Sequence, residues 1–313
     1  MDGVIVVDKP QGLTSHDVVA AARRLLKEKR IGHTGTLDPL ATGVLPLACG
    51  RATRLVRFLT ASDKDYDATI VFGVTTDTYD VTGTETSRSA RQPARGALDD
   101  ALAGLTGEYE QMPPAYSAKK VGGRRAYELA RDDEPVALTP AHVRVSRAVV
   151  RSFTGDRLSI SLTCSAGFYV RSFAHDLGQR LGTGACLEEL RRTRSGDFGL
   201  DGAATLDALA GDAEDMSASG WLVPMDGLLP ALPAVRLTEE GRLRVSHGRE
   251  IGQAQVGPRA WSQGQAAAAS GVDRPVLSGV EGWIRLVDER GQLVALAQPG
   301  PTPGSLHPAV VLI

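Results

Sequence analysis

The chain is poor in cysteine, has no long apolar run and carries almost no net charge. Cys49, Cys164 and Cys186 are far apart and form no CxxC pair, which excludes a disulfide framework. They are expected to be reduced thiols buried as small core residues, with no neighbouring base to activate them. No apolar stretch approaches the roughly 18 residues that cross a bilayer. The N-terminal MDGVIVVDKP lacks a basic n-region and a cleavage site, so a cytoplasmic protein with no membrane partner is expected. A formal charge of −2 gives no bulk electrostatic case for a nucleic-acid partner; any such partner needs locally gathered basic residues. Also missing are GxxxxGK(S/T), a GxGxxG after a strand, HExxH, zinc-type Cys/His spacing and a GxSxG elbow. Nucleotide hydrolysis, dinucleotide redox and metal chemistry are thereby disfavoured, and no cofactor or metal is expected.

What is present begins with length. A chain of 313 residues, 42% hydrophobic and 23% charged, can bury one full core and leaves room for a small second domain. Val4 to Val7 read as a strand. Ser15 is placed to cap a helix whose apolar residues Val18, Val19, Ala22, Leu25 and Leu26 recur at helical spacing before Gly32. Gly32 to Gly50, rich in Gly, Thr and Pro, reads as largely loop. Tyr66 to Val74 alternates as a half-buried strand. Ala97–Leu105 and Arg125–Arg131 read as short helices, Val143–Phe153 with Leu158–Cys164 as a hairpin, and Tyr169–Leu181 as a helix. Strands and helices without regular βαβ alternation predict an α+β fold on a mixed sheet. The Ala-, Gly-, Asp- and Pro-rich stretch 203–233 suggests a boundary near Leu232, giving domains 1–231 and 232–313. Within the second, a helix is predicted around Leu237–Val245 and a hairpin across Trp283–Val287 and Leu293–Ala297. Residues 254–282 read as an irregular, mobile insertion.

Three basic clusters stand out: Arg23, Arg24, Lys27, Lys29 and Arg30; Lys119, Lys120, Arg124 and Arg125; and Arg191, Arg192 and Arg194. Any one alone is usually a solvated face. The most unusual segment is Gly32-His33-Thr34-Gly35-Thr36-Leu37-Asp38-Pro39-Leu40-Ala41-Thr42-Gly43, with one carboxylate and one imidazole among glycines. Asp38 is either a turn former before Pro39 or a functional carboxylate, and the second role needs a cation to keep it ionised. Arg171 is a candidate, because a cation in the first turn of a helix opposes the macrodipole and needs another reason to be there. Tyr66, beside Lys64, is either a sheet residue or a platform for a base. His33 is either a hydrogen-bonded loop residue or an RNA contact.

Asp8-Lys9-Pro10-Gln11-Gly12, the loop 32–43, Asp63-Lys64-Asp65-Tyr66, Tyr116-Ser117-Ala118-Lys119-Lys120 and Gly167-Phe168-Tyr169-Val170-Arg171 occur in one order. In this the chain resembles the TruB family of tRNA pseudouridine synthases over most of residues 1–230. The tail is more weakly similar to the small PUA-like β-barrel that ends such enzymes. The resemblance implies a curved mixed sheet with a central cleft and isomerisation of uridine 55 in the tRNA T loop. Asp38 matches the catalytic aspartate, Tyr66 the tyrosine that meets the base and Arg171 the arginine paired to the aspartate. His33 matches the histidine that helps the nucleotide leave the loop, and Lys9, Lys64 and Tyr169 match supporting positions. The implied enzyme is a monomer that binds the tRNA T arm without a guide RNA. Two rival readings are a tRNA-folding module indifferent to Asp38→Asn and a nucleoside N-glycosylase that would release free uracil.

Overall fold

The computed structural model describes residues 1–117, 119–132, 137–212, 220–262 and 282–313. The main sheet is built on β1 (Gly3–Lys9), β2 (Ile31–His33), β3 (Thr42–Cys49), β4 (Lys64–Phe72), β5 (Gly107–Gln111), β6 (Ala141–Phe153), β7 (Arg157–Cys164) and β8 (Ala185–Ser195). Its order runs from Ala203–Ala204 through β1, β3, β8, β4, β7, β6 to β5, with β2 added beside β3. Most neighbours are antiparallel, but β1 with Ala203–Ala204 and β3 with β8 are parallel, so the sheet is mixed as expected. Helices α1 (Ser15–Leu25), α2 (Arg95–Ala103) and α3 (Val170–Leu181) pack buried side chains into its core.

β1 shows how period-two patterning divides the molecule. Ile5 and Val7 enter the core formed with α1 and α3, whereas Val4 and Val6 enter a second cluster on the opposite face. β3 divides the same way, Leu45, Leu47 and Cys49 to one side and Val44 and Ala48 to the other. A helix normally avoids glycine, yet Gly178 in α3 is needed. A Cβ there would lie 2.2 Å from the backbone nitrogen of Ala185, so this glycine lets α3 approach the start of β8.

The second sheet comprises β9 (Ala234–Leu237), β10 (Val256–Ser262), β11 (Ile284–Val287), β12 (Leu293–Pro299) and β13 (Leu306–Val311), in the order β10-β9-β11-β12-β13. Helix α4 (Glu239–Ser246) packs on it, capped by Thr238. Leu293 and Leu296 of β12, with Leu312, reach the face of β1 and β3 that carries Val4, Val6, Val44 and Ala48. The two sheets therefore share buried apolar surface.

Three sequence expectations need correction. The segment 32–50 is not mainly loop, because Thr42–Cys49 is a core strand paired along β1. Pro46 is tolerated there because on the side away from β1 it falls between partners, β8 pairing at Thr42 and Gly43 and β2 from Leu47 to Cys49. The cap of α1 is Thr14, which with Asp17 forms a capping box, while Ser15 is buried and used elsewhere. Finally, β10 occupies 256–262, inside the segment read as irregular; residues 263–281 lie outside the described residues.

Candidate active site

The loop between β2 and β3 places Asp38 at the mouth of a cleft, and its neighbours are clamped on both sides. Ser15 Oγ donates to the Leu37 carbonyl at 2.9 Å and accepts from the Leu37 amide at 2.8 Å. Fully buried Lys9 donates to the carbonyls of Pro10 at 2.9 Å and Leu13 at 2.6 Å, with Pro39 at 3.5 Å. The Gly12 amide donates to the Pro39 carbonyl at 2.8 Å. Burial holds the Lys9 ammonium down at about 8, against the opposing pull of Asp38.

Arg171 projects from the first turn of α3, where the helix dipole opposes it, and the site supplies compensation. Its Nη1 donates to the Thr78 carbonyl and its Nη2 to the Tyr116 carbonyl, each at 2.8 Å. Its Nε lies 2.8 Å from Asp38 Oδ2 and 3.7 Å from Asp80 Oδ2. The Nε–H is not aligned for a hydrogen bond, so the Asp38 contact acts through charge. The two carboxylates differ in access: the side chain of Asp38 is 38% exposed and that of Asp80 is 6% exposed. Asp80 Oδ1 also accepts from the Thr78 hydroxyl and the Thr82 amide, both at 2.9 Å, and from the Thr82 hydroxyl. Asp38 is the accessible carboxylate and Asp80 the fixed one.

Sequence reading missed Asp80, which stood out only as one polar residue in Asp77-Thr78-Tyr79-Asp80. Its turn is held by Tyr79, which adopts φ +63° and stacks on His175 at 3.9 Å. His175 lies one helical turn beyond Arg171, so α3 fixes both the arginine and the turn that satisfies it.

Two lobes meet at Asp38 and Arg171, one of about 220 Å³ and one of about 430 Å³. Tyr66, Lys64 and Tyr169 line the smaller, with Phe168 and Leu190 as apolar walls. Burial raises the Tyr66 phenol, and the neighbouring Arg192 guanidinium opposes that. Tyr169 caps α3 with its backbone; Gln111 accepts from its amide at 2.8 Å and donates to its carbonyl at 3.0 Å. Burial likewise raises the Tyr169 phenol.

The structure thus brings together Asp38, Arg171, Tyr66, Lys64 and Tyr169. Lys9 lies beneath the loop and outside both lobes. His33 also lines neither lobe; it packs edge-on against His16 at 5.5 Å, and His16 lines the larger lobe.

One basic cluster is tied into the fold by ion pairs and burial. Arg191 pairs with Asp8 at 2.8 Å and Arg194 with Asp65 at 2.7 Å, while Arg192 is 1% exposed. Arg23, Arg24, Lys27, Lys29 and Arg30 are exposed, as expected.

A mixed sheet that presents one arginine-held carboxylate beside a buried tyrosine, in a cleft of nucleotide size, defines an enzyme of the pseudouridine synthase class. The chain belongs to the TruB family: residues 23–170 match the N-terminal domain of TruB family pseudouridylate synthase, and residues 171–230 the C-terminal domain of tRNA pseudouridylate synthase B. It is 43% identical to tRNA pseudouridine synthase B of Solibacter usitatus over 313 residues, the whole of both chains. It is 42% identical to the Burkholderia lata protein of that name over 265 residues, 85% of this chain and 82% of that one. Among solved structures, one chain of a Cbf5–Nop10–Gar1 complex superposes with TM-score 0.73 at 26% identity, covering 99% of this chain and 85% of that one. A chain in an H/ACA RNP bound to a substrate RNA containing 2′-deoxyuridine gives TM-score 0.72 at 25% identity, with the same coverage.

Proposed function

We propose that the protein converts uridine 55 in the T loop of tRNA to pseudouridine, as a stand-alone monomer that needs neither cofactor nor guide RNA. The observation that carries this reading is Asp38, half open to a nucleotide-sized lobe and held by Arg171 at 2.8 Å. Full-length relatives named tRNA pseudouridine synthase B support tRNA as the substrate.

The reaction breaks the C1′–N1 bond, turns the uracil and joins C1′ to C5. The C5 proton is lost and N1 takes one up, so atoms balance without an oxidant. Asp38 either attacks C1′ or removes the 2′ proton to leave a glycal, and in both Arg171, 2.8 Å away, orients the carboxylate. Tyr66 stacks on the base and is placed to assist loss of the C5 proton. Since C1′ of a stacked nucleotide is out of reach, the uridine must leave the loop, at a cost of a few kcal/mol. His33 assists that departure through its edge-on contact with His16, which lines the larger lobe, and Lys9 acts by fixing the Asp38 loop. Residues 1–231 form the catalytic unit. Residues 232–313 form a PUA-like module that binds RNA.

The test is primer extension on carbodiimide-treated tRNA transcript after incubation with wild type or Asp38→Asn. A stop at the T-loop uridine with wild type alone supports the proposal. Tight binding without a stop identifies a tRNA-folding module, and release of free uracil identifies an N-glycosylase.

A further inference from the structure

The floor of the smaller lobe holds two cations that the reaction described so far does not use. Of the three arginines on β8, the outer two have carboxylate partners and the middle one has none among the described residues. Arg192 is 1% exposed, and its Nε and Nη2 donate to the carbonyls of Val44 at 2.7 Å and Gly35 at 3.1 Å. Lys64, 6% exposed, donates to the carbonyls of Thr60 at 2.8 Å and Ser62 at 2.5 Å and likewise meets no carboxylate among the described residues. Both side chains converge on Gly35: a Cβ built there would lie 3.6 Å from Arg192 Nη1 and 3.7 Å from Lys64 Cε. Carbonyl dipoles satisfy hydrogen bonds but do not neutralise charge, and a buried cation without an anion is costly.

Breaking C1′–N1 leaves the electron pair on the base. The detached uracil is an anion whose charge spreads from N1 to O2 and O4, and it must stay in the lobe while it turns. We infer that Lys64 and Arg192 form a cationic floor that holds this uracil anion between C1′–N1 cleavage and C1′–C5 bond formation. The inference rests on the isomerase reading and names what stabilises its most charged intermediate. Asp38 lines the same lobe and meets the sugar carbon, so the lobe carries both an anion for the sugar and cations for the base. Phe168, Val170 and Leu190 line the same lobe and keep it apolar, which strengthens each charge contact. Neutral uridine before cleavage draws little from the floor, and a contact that grows toward the transition state is one that raises rate.

Single-turnover conversion of tRNA transcript by wild type, Lys64→Met and Lys64→Arg tests this, with tRNA affinity measured alongside. Lys64→Met is expected to slow conversion about 100-fold while tRNA affinity stays within about twofold, and Lys64→Arg to recover most of the loss. A second readout is the pH profile. The groups facing Lys64 are Arg192 on β8, Cys164 on β7, and Asp63 beside it; burial and Arg192 set its ammonium at about 8. Wild-type conversion should fall above that pH as the floor loses a charge, and Lys64→Arg should reduce the fall to the part that Lys9 contributes. An active wild type with an equally active Lys64→Met overturns the floor alone. If Lys64→Met fails to fold, an alkaline fall unmoved in Lys64→Arg overturns it. A wild type that binds tRNA but converts nothing overturns the isomerase reading, and the floor with it.

Discussion

At the scale of single residues, charge compensation decides which groups can react. Arg171 lies between two carboxylates, one enclosed by threonines and one open to the cleft, and its planar fork also reaches two carbonyls. Lysine presents one compact ammonium and cannot serve all of these partners at once. Arg171→Lys is therefore expected to lower the single-turnover rate by about 100-fold or more, with folding retained by circular dichroism; a rate near wild type would show that charge alone suffices. The buried lysines make a separate prediction about stability. Lys9 and Lys64 are both held at about 8 in the folded protein, against an ordinary 10.5. Between those values the unfolded chain binds more protons, so this part of stability rises with pH and the cost of burying the charge is fully present below pH 8. In Lys9→Met that rise should be smaller than in wild type, measured as the change in urea midpoint across the window; an identical rise would contradict the assignment.

At the scale of elements, the site depends on how one short loop is tied between β2 and β3. Ser15→Ala removes both bonds to Leu37 and leaves a buried amide and carbonyl unpaired, for an expected loss of about 1–3 kcal/mol in urea unfolding and a slower reaction. Gly43 holds the other end of the loop at φ +98°, where a Cβ would lie 2.2 Å from the Arg192 carbonyl oxygen. Gly43→Ala should cost about 2–4 kcal/mol by the same measurement, from strained backbone and displacement of β8. The regular elements were legible in the sequence where pattern and period agree: the alternation of β4, the hairpin of β6 and β7, and the run of α3. β3 was not, because Gly43, Pro46 and Gly50 punctuate it as a loop, and only tertiary pairing with β1 and the departure of β8 show why a strand tolerates them. Asp38 and Arg171 were visible as residues out of keeping with their local setting. Asp80 and Arg192 were not, since a threonine-rich turn and a basic run look alike whether they face water or a pocket.

At the scale of the whole molecule, the second sheet packs through a core to which β1 and β3 contribute one face of their side chains. Phe58 and Trp283 meet edge-on at 4.7 Å, with the Arg57 guanidinium 5.0 Å from the Trp283 ring, which adds a contact at the rim of the same seam. A composition shift near Leu232 marks a change of sheet but gives no sign of this shared surface. The full chain is expected to unfold in one calorimetric transition, and a chain ending at 231 to aggregate or lose cooperativity. Two well-separated transitions, with a stable truncated chain, would contradict that. The exposed Arg23, Arg24, Lys27, Lys29 and Arg30 leave the surface with a basic patch at one end of α1, so tRNA affinity should fall as salt rises.

The central claim is that Asp38 breaks and remakes the link between sugar and base. Release of tritium from tRNA labelled at uracil C5 tests it most directly, because that hydrogen leaves only when C1′ has joined C5. Wild type should release tritium in step with pseudouridine formation, while Asp38→Asn should bind the same tRNA and release at least about 1,000-fold less. Release by Asp38→Asn at the wild-type rate would contradict the account.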